Sequence, residues 1–311
     1  MDQGLGEVTA AGGDLEAVDG RRAARLPCPP MGRKQFAINR MLCPRFEVAE
    51  FLRMAADVGL EQVELRNDLP QWEEIDQLAA EQFRRLAERL GVRVATINAV
   101  QKFNSPAHRE SAAAESARLV ALARAIGCGA VVLCPNNDPA DDRTASEAYS
   151  DTVQSLRVLG PIFAAGGVTG LVEPLGFPES SLDSLLTAQR AIADSGATFR
   201  LVYDTFHHYL GPDDARAIKR NLDISLVGMV HASGVRRDRL NPDLRDEDRG
   251  LVDHHDAIGN REQIARLRRL GYTGPVSLEP FAPDLAALSR AELVSALERS
   301  LRLLEADEAA L

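Results

Sequence analysis

From residue 35 onward the chain alternates between two hydrophobic rhythms. Short runs rich in Val, Ile and Leu lie at 35–39 (QFAIN), 62–66 (QVELR), 93–98 (RVATIN), 130–134 (AVVLC), 169–174 (TGLVEP), 199–204 (FRLVYD), 226–231 (LVGMVH) and 275–280 (PVSLEP). Their apolar character is that of buried parallel strands. Between them, stretches such as VAEFLRMAADVG, LAAEQFRRLAERLG and SARLVALARAIG repeat apolar positions at helical spacing. Each closes on a glycine able to take the left-handed conformation that ends a helix. Further helices are predicted around 181–194, 260–270 and 288–305.

Alternating strands and helices imply a parallel sheet. Eight such units in roughly 275 residues imply one closed (β/α)8 barrel, the TIM fold. An open doubly wound sheet is the alternative, but no GxGxxG follows the first strand. For the same reason no nucleotide cofactor is expected. Residues 1 to about 33 are rich in Gly, Ala and charge without apolar periodicity, and read as a disordered N-terminal extension. The barrel domain is predicted over 34–311, although MGRKQFAIN, from Met31, already looks like a domain start.

Composition narrows the partners. Of 311 residues, 46 are Asp or Glu and 36 are Lys or Arg, a net charge of −10. A nucleic-acid binder needs a basic face to replace counterions, so that class is disfavoured. A small neutral substrate or a bound cation remains. No run approaches the roughly 18 apolar residues of a membrane span, so no membrane partner is expected. The first 20 residues lack the basic region and apolar run of a signal peptide, so a cytoplasmic location is expected. Cys28, Cys43, Cys128 and Cys134 form no CxxC pair and read as buried or incidental thiols.

In such barrels the chemistry sits at the C-terminal ends of the strands. Strands five to eight end in Glu173, Asp204, His231 and Glu279. Any one of them alone would pass for a loop residue. Together, three carboxylates and an imidazole at one level suit a divalent ion: Mn²⁺, Mg²⁺, Co²⁺ or Zn²⁺. His207 follows Asp204 by three residues in DTFHH and is placed to hold a substrate oxygen or transfer a proton. Its neighbour His208 reads as structural. His254 and His255, in VDHHDAIGN, read as pocket rim or surface, and His108 as the start of a helix. Glu64 and Arg66 close strand two, Asn98 closes strand three with Lys102 beyond it, and Arg249 lies in RDEDRGL. Acids and amides there would bind hydroxyls, and the bases an oxyanion or carbonyl.

LVEPLGFPESSL, VYDTFHHYLG, MVHASGV, DEDR and GYTGPVSLEPF, with VELRNDLP and TINAVQKFN before them, resemble the xylose-isomerase-like TIM-barrel superfamily of sugar isomerases and epimerases. Within it the chain is most similar to the inosose isomerase (2-keto-myo-inositol isomerase) group, over about residues 35 to 305. The resemblance implies that Glu173, Asp204, His231 and Glu279 bind the metal, that His207 touches substrate, and that Arg249 of the DExR loop does so too. It also implies a homo-oligomer. One departure stands out: some relatives follow that loop with Pro-Gly-x-Gly, whereas this chain reads LVDHHDAIGN, which alters the pocket rim.

The reaction so implied moves a carbonyl of a ketoinositol to the adjacent carbon through an enediolate, with Glu173 and Glu279 as proton carriers and no redox cofactor. The ketose 3-epimerases and inosose dehydratases are the alternatives that use similar chemistry. An endonuclease-IV-like hydrolase would need more histidines and a basic rim. A non-catalytic sugar-binding barrel could lose a ligand, and here all four are present.

Overall fold

The computed structural model describes residues 31–69 and 80–306. Eight runs of branched and aromatic residues form strands: β1 (Phe36–Asn39), β2 (Gln62–Arg66), β3 (Arg93–Val100), β4 (Ala130–Leu133), β5 (Thr169–Val172), β6 (Phe199–Asp204), β7 (Val227–Ala232) and β8 (Val276–Leu278). All neighbours pair in parallel, and β8 pairs back onto β1 through Phe36 and Val276, so the sheet closes as a barrel. This is the (β/α)8 architecture expected from the alternation. Around it lie helices α1 (Val48–Asp57), α2 (Ala80–Leu90), α3 (Arg109–Ile126), α4 (Ala145–Gly166), α5 (Leu185–Ser195), α6 (Thr205–Leu210), α7 (Ala215–Asn221), α8 (Asn260–Arg269) and α9 (Arg290–Glu305). Gly59, Gly91 and Gly127, just past α1, α2 and α3, all have positive φ, as the helix-stop reading requires. None of the helices among the described residues is long and apolar enough to cross a membrane.

Two differences from the sequence reading concern a boundary and a helix. The extension was expected to run to about residue 33. Instead Met31 packs into the core, and the Arg33 guanidinium bonds the Glu305 carboxylate at the far end of the domain (Nη2 to Oε2, 3.0 Å). Residues 1–30 of that expected extension, and the first two residues of LAAEQFRRLAERLG, lie outside the described residues. The longest helix, α4, was not anticipated, although Thr144 and Glu147 form a capping box at its start. Gly160 and Pro161 inside it disguise the helical pattern.

The core has two layers. Alternate strand residues such as Leu201, Tyr203 and Val230 point outward under the helices. Ala95, Ala130, Val132, Leu171, Val202 and Met229 fill the inside of the barrel. Three register shifts occur in the sheet among the described residues, and two of them set which residues of β3 and β7 face the cluster. In β3, Val63 pairs with Val94 but Glu64 pairs with Thr96, so Ala95 is extra. In β7, Leu201 pairs with Val227 but Val202 with Met229, so Gly228 is extra. One extra residue flips every side chain beyond it to the other face. Thr96, Asn98, Met229 and His231 therefore turn inward, which strict alternation from Val94 and Val227 would not allow.

Candidate metal centre

At the C-terminal end the barrel interior changes from apolar to charged. Asp204 is the last residue of β6 and His231 the next to last of β7. Glu173 and Glu279 stand one residue beyond β5 and β8, yet stay in the ladder through Glu173 N–H to Leu133 O and Glu279 N–H to Ala232 O, each 3.0 Å. All four are buried, and one potential ligand atom from each lies within 4.8 Å of all the others. His231 Nδ1 is 2.7 Å from Glu173 Oε1, 3.2 Å from Glu279 Oε2 and 4.0 Å from Asp204 Oδ2.

Asp204 divides its oxygens between two tasks. Oδ1 accepts from the backbone N–H of Phe206 (2.7 Å) and His207 (3.0 Å), which caps α6 directly after the strand. Oδ2 is left for the cluster. The same cap presents His207, whose ring lies edge-on to Phe177 and Phe206. His207 Nε2 accepts from Arg249 Nη1 at 3.4 Å, while Nδ1 is buried without a partner. Only the Nε2 edge of His207 therefore meets the cluster.

Arg249 comes from the long loop between β7 and α8. Its carbonyl accepts from Phe281 and Ala282 N–H, at 2.7 and 2.8 Å, so the loops after β7 and β8 are tied at this residue. Its guanidinium lies against the Phe206 and Phe281 rings and donates to Ser233 Oγ, Asp246 Oδ1, Asp204 Oδ2 (2.7 Å) and Glu279 Oε2 (2.9 Å). Arg66 Nη1 donates to the other Glu279 oxygen at 2.9 Å, as does Asn39 Nδ2 at 3.0 Å. The two catalytic glutamate candidates thus differ. Glu279 has a guanidinium on each oxygen, whereas Glu173 has His231 on one and the Cys134 thiol, at 3.6 Å, on the other. Burial pushes both carboxyls up. For Glu279, His231, Arg249 and Arg66 more than offset this and hold it below the usual carboxylate range. For Glu173, His231 offsets only part, and it stays above that range. Burial also disfavours a charged His231, but Glu64, Glu279 and Glu173 outweigh it and hold the imidazole well above its ordinary value.

The donor set fits a divalent ion: three carboxylates and one imidazole converge closely enough for one ion to reach all four, and their mutual repulsion calls for positive charge. The other expected residues fare differently. Arg66 reaches the cluster through Glu279. Glu64 has no exposed surface, and its carboxylate accepts from Thr96 Oγ1, Asn98 Nδ2 (3.1 Å) and His231 Nε2 (3.0 Å). Glu64 and Asn98 therefore reach the cluster through His231. The Lys102 ammonium pairs with Asp138 at 3.2 Å on the exposed rim. Arg249 is buried, and its donors are engaged by Asp204, Glu279, Asp246 and Ser233. His254 and His255 are exposed, and His108 is the N-cap of α3. Asn39 and Thr96 were missed. Asn39 closes β1 and could have been found by the strand-end rule, whereas Thr96 is hidden by the bulge before it.

Comparison with known proteins follows the same lines. The xylose isomerase-like TIM barrel family model matches residues 52–306. The inosose isomerase of Halalkalibacterium halodurans is 30% identical over 151 residues, 48% of this chain and 52% of that protein, so the match spans about half of the relative. A xylose isomerase domain containing protein from Salmonella typhimurium LT2 has a crystal structure that superposes with a TM-score of 0.81 at 37% identity, covering 88% of this chain and 98% of that one. The crystal structure of the IolI protein with a bound zinc atom shares the fold, with a TM-score of 0.79 at 19% identity over 87% of this chain and 98% of that one.

Proposed function

The chain belongs to the xylose isomerase-like TIM barrel family, a superfamily of sugar isomerases and epimerases, and on that premise we propose that it is a metal-dependent isomerase. It moves the carbonyl of a ketoinositol to the adjacent carbon. The observation that carries this reading is the buried convergence of Glu173, Asp204, His231 and Glu279, in which two glutamates from well-separated strands flank one position. The half-length similarity to an inosose isomerase supports the choice of substrate class.

Moving a carbonyl to its neighbour takes one proton from the α carbon and one from its hydroxyl, and returns one to the former carbonyl carbon and one to that carbon's oxygen, through an enediolate. A divalent ion, when bound, supplies positive charge for the two oxygens that become anionic. Glu173 takes the first proton. No guanidinium pins it in the ionised state, so its affinity for a proton is the greater of the two. Glu279 faces the substrate from the other wall, anchored by Arg66 and Arg249, and takes part in the return. His207, through Nε2, holds a substrate oxygen. The Phe206 and Phe281 rings back the Arg249 guanidinium, and Phe177 backs the His207 ring.

The test is NMR of the protein, loaded with a divalent ion, acting on a panel of ketoinositols and ketoses in D₂O. Deuterium entering beside the carbonyl and an isomeric ketoinositol accumulating are the expected results. No exchange with any member of the panel would overturn the reading. A ketose inverted at C3 would move the assignment to an epimerase. Glu173→Gln, with metal content measured, is expected to abolish deuterium exchange, and full exchange by a metal-replete variant would remove Glu173 from the role of base.

A further inference from the structure

Glu64 is not among the four ligands, yet it holds the far side of one of them. We propose that Glu64 is a positioning residue for the cation: it keeps the His231 proton on Nε2, so that Nδ1 presents its lone pair to the ion. This rests on the reading of the cluster as a divalent-metal site.

A neutral imidazole has one N–H and one bare nitrogen, and only the bare nitrogen can ligate. In His231 the nitrogen among the ligands is Nδ1, 2.7 Å from Glu173 Oε1 and 3.2 Å from Glu279 Oε2. Nε2 meets Glu64 Oε2 at 3.0 Å on the opposite side of the ring. An ionised carboxylate accepts hydrogen bonds and donates none. Glu64 is therefore compatible with one tautomer of His231, the one a metal requires.

The carboxylate is itself clamped. Thr96 Oγ1 and Asn98 Nδ2 (3.1 Å) donate to the same oxygen, and Asn39 Nδ2 lies 3.5 Å from the other. Donors from β1 and β3 thus set the position of a β2 side chain that reaches across the barrel to β7. With no exposed surface, Glu64 is out of reach of substrate. Its effect falls on ion affinity. Outer partners of metal-bound histidines commonly contribute 10- to 100-fold to affinity.

Titration of the full-length protein with Co²⁺, by visible absorption and by competition with a chelator, tests this. Wild type is expected to bind one equivalent, and Asp204→Asn to lose it. Glu64→Gln is expected to bind Co²⁺ about 10- to 100-fold more weakly while the metal-free protein melts close to wild type. A purely structural Glu64 would lower the melting temperature and leave the Co²⁺ affinity of the folded protein unchanged, and that result overturns the proposal. Absence of any saturable binding sensitive to Asp204→Asn in the wild-type background would instead overturn the metal reading and the proposal with it. Should Glu64→Gln fail to fold, Thr96→Val and Asn98→Ala loosen the clamp but keep the carboxylate. Several-fold weaker binding in either supports the proposal, and unchanged binding in both overturns it. In the Zn²⁺-loaded protein, ¹⁵N-histidine NMR is expected to find His231 protonated at Nε2, and a proton on Nδ1 would refute the assignment.

Discussion

Asp204 caps a helix with one oxygen and faces the cluster with the other, so its two roles can be separated by substitution. Asparagine retains a cap oxygen and alanine does not. In metal-free protein Asp204→Ala is expected to be about 1 kcal/mol less stable to urea than Asp204→Asn, the usual worth of an N-cap, while both lose the cation. Equal stability would mean that the cap contributes nothing. A few residues on, His208 is half-buried with its ring 4.8 Å from the Tyr203 ring and Nδ1 unpartnered. Burial lowers its pKa to about 4, with Arg266 adding to the fall and Asp213 opposing it. The unfolded chain takes up this proton near pH 6.5 and the folded chain near 4, so the stability from a neutral His208 is complete above 6.5 and is lost as the pH falls to 4. The loss is at most about 3–4 kcal/mol, at 1.36 kcal/mol per pH unit. His208→Phe is expected to flatten that part of the urea-stability curve, and an unchanged slope would assign the acid sensitivity elsewhere. At this scale the four members of the cluster were legible because carboxylates and a histidine closing four successive apolar runs are conspicuous. The supporting role of Glu64 was not, because a carboxylate that touches substrate and one that holds a histidine look alike in one dimension.

Strand and helix positions were legible for a simple reason: buried parallel strands are short and apolar, and helices end at glycines. The bulges were not, since an extra residue leaves the apolar run intact. Gly228 carried the one available hint, a glycine within a strand pattern. A Cβ at this position would lie 2.7 Å from Leu171 Cδ2, inside the barrel. Gly228→Ala is therefore expected to cost about 1–3 kcal/mol, the range for overpacking a filled core, and to disturb the β7 segment that carries His231. Urea unfolding checks the first effect and Co²⁺ affinity the second. Wild-type stability would show that Leu171 can move aside.

Across the whole molecule, apolar filling at the base of the barrel gives way to a charged upper layer. Arg66 and Arg249 of that layer were legible as candidates, but the carboxylate oxygens they engage were not, because they depend on a loop whose folding path no local pattern specifies. Folding must bring mutually repelling carboxylates together there, so a bound cation should stabilise the entire domain. At a free ion concentration 100 times Kd the gain is about 2.7 kcal/mol, or roughly 5 °C in melting temperature for a domain of this size. Chelation is expected to lower the melting temperature by that amount and added Co²⁺ to restore it. Indifference to every divalent ion would count against the site. The β7 bulge bears on how such a barrel could be rebuilt. Pairing Gly228 with Val202, as a regular strand would, leaves length, charge and strand number unchanged, yet it would rotate the histidine toward the helices and Val230 toward the pocket. Exchange of this strand with that of another barrel would thus succeed or fail on a single residue of spacing, regardless of how well the side chains themselves were matched.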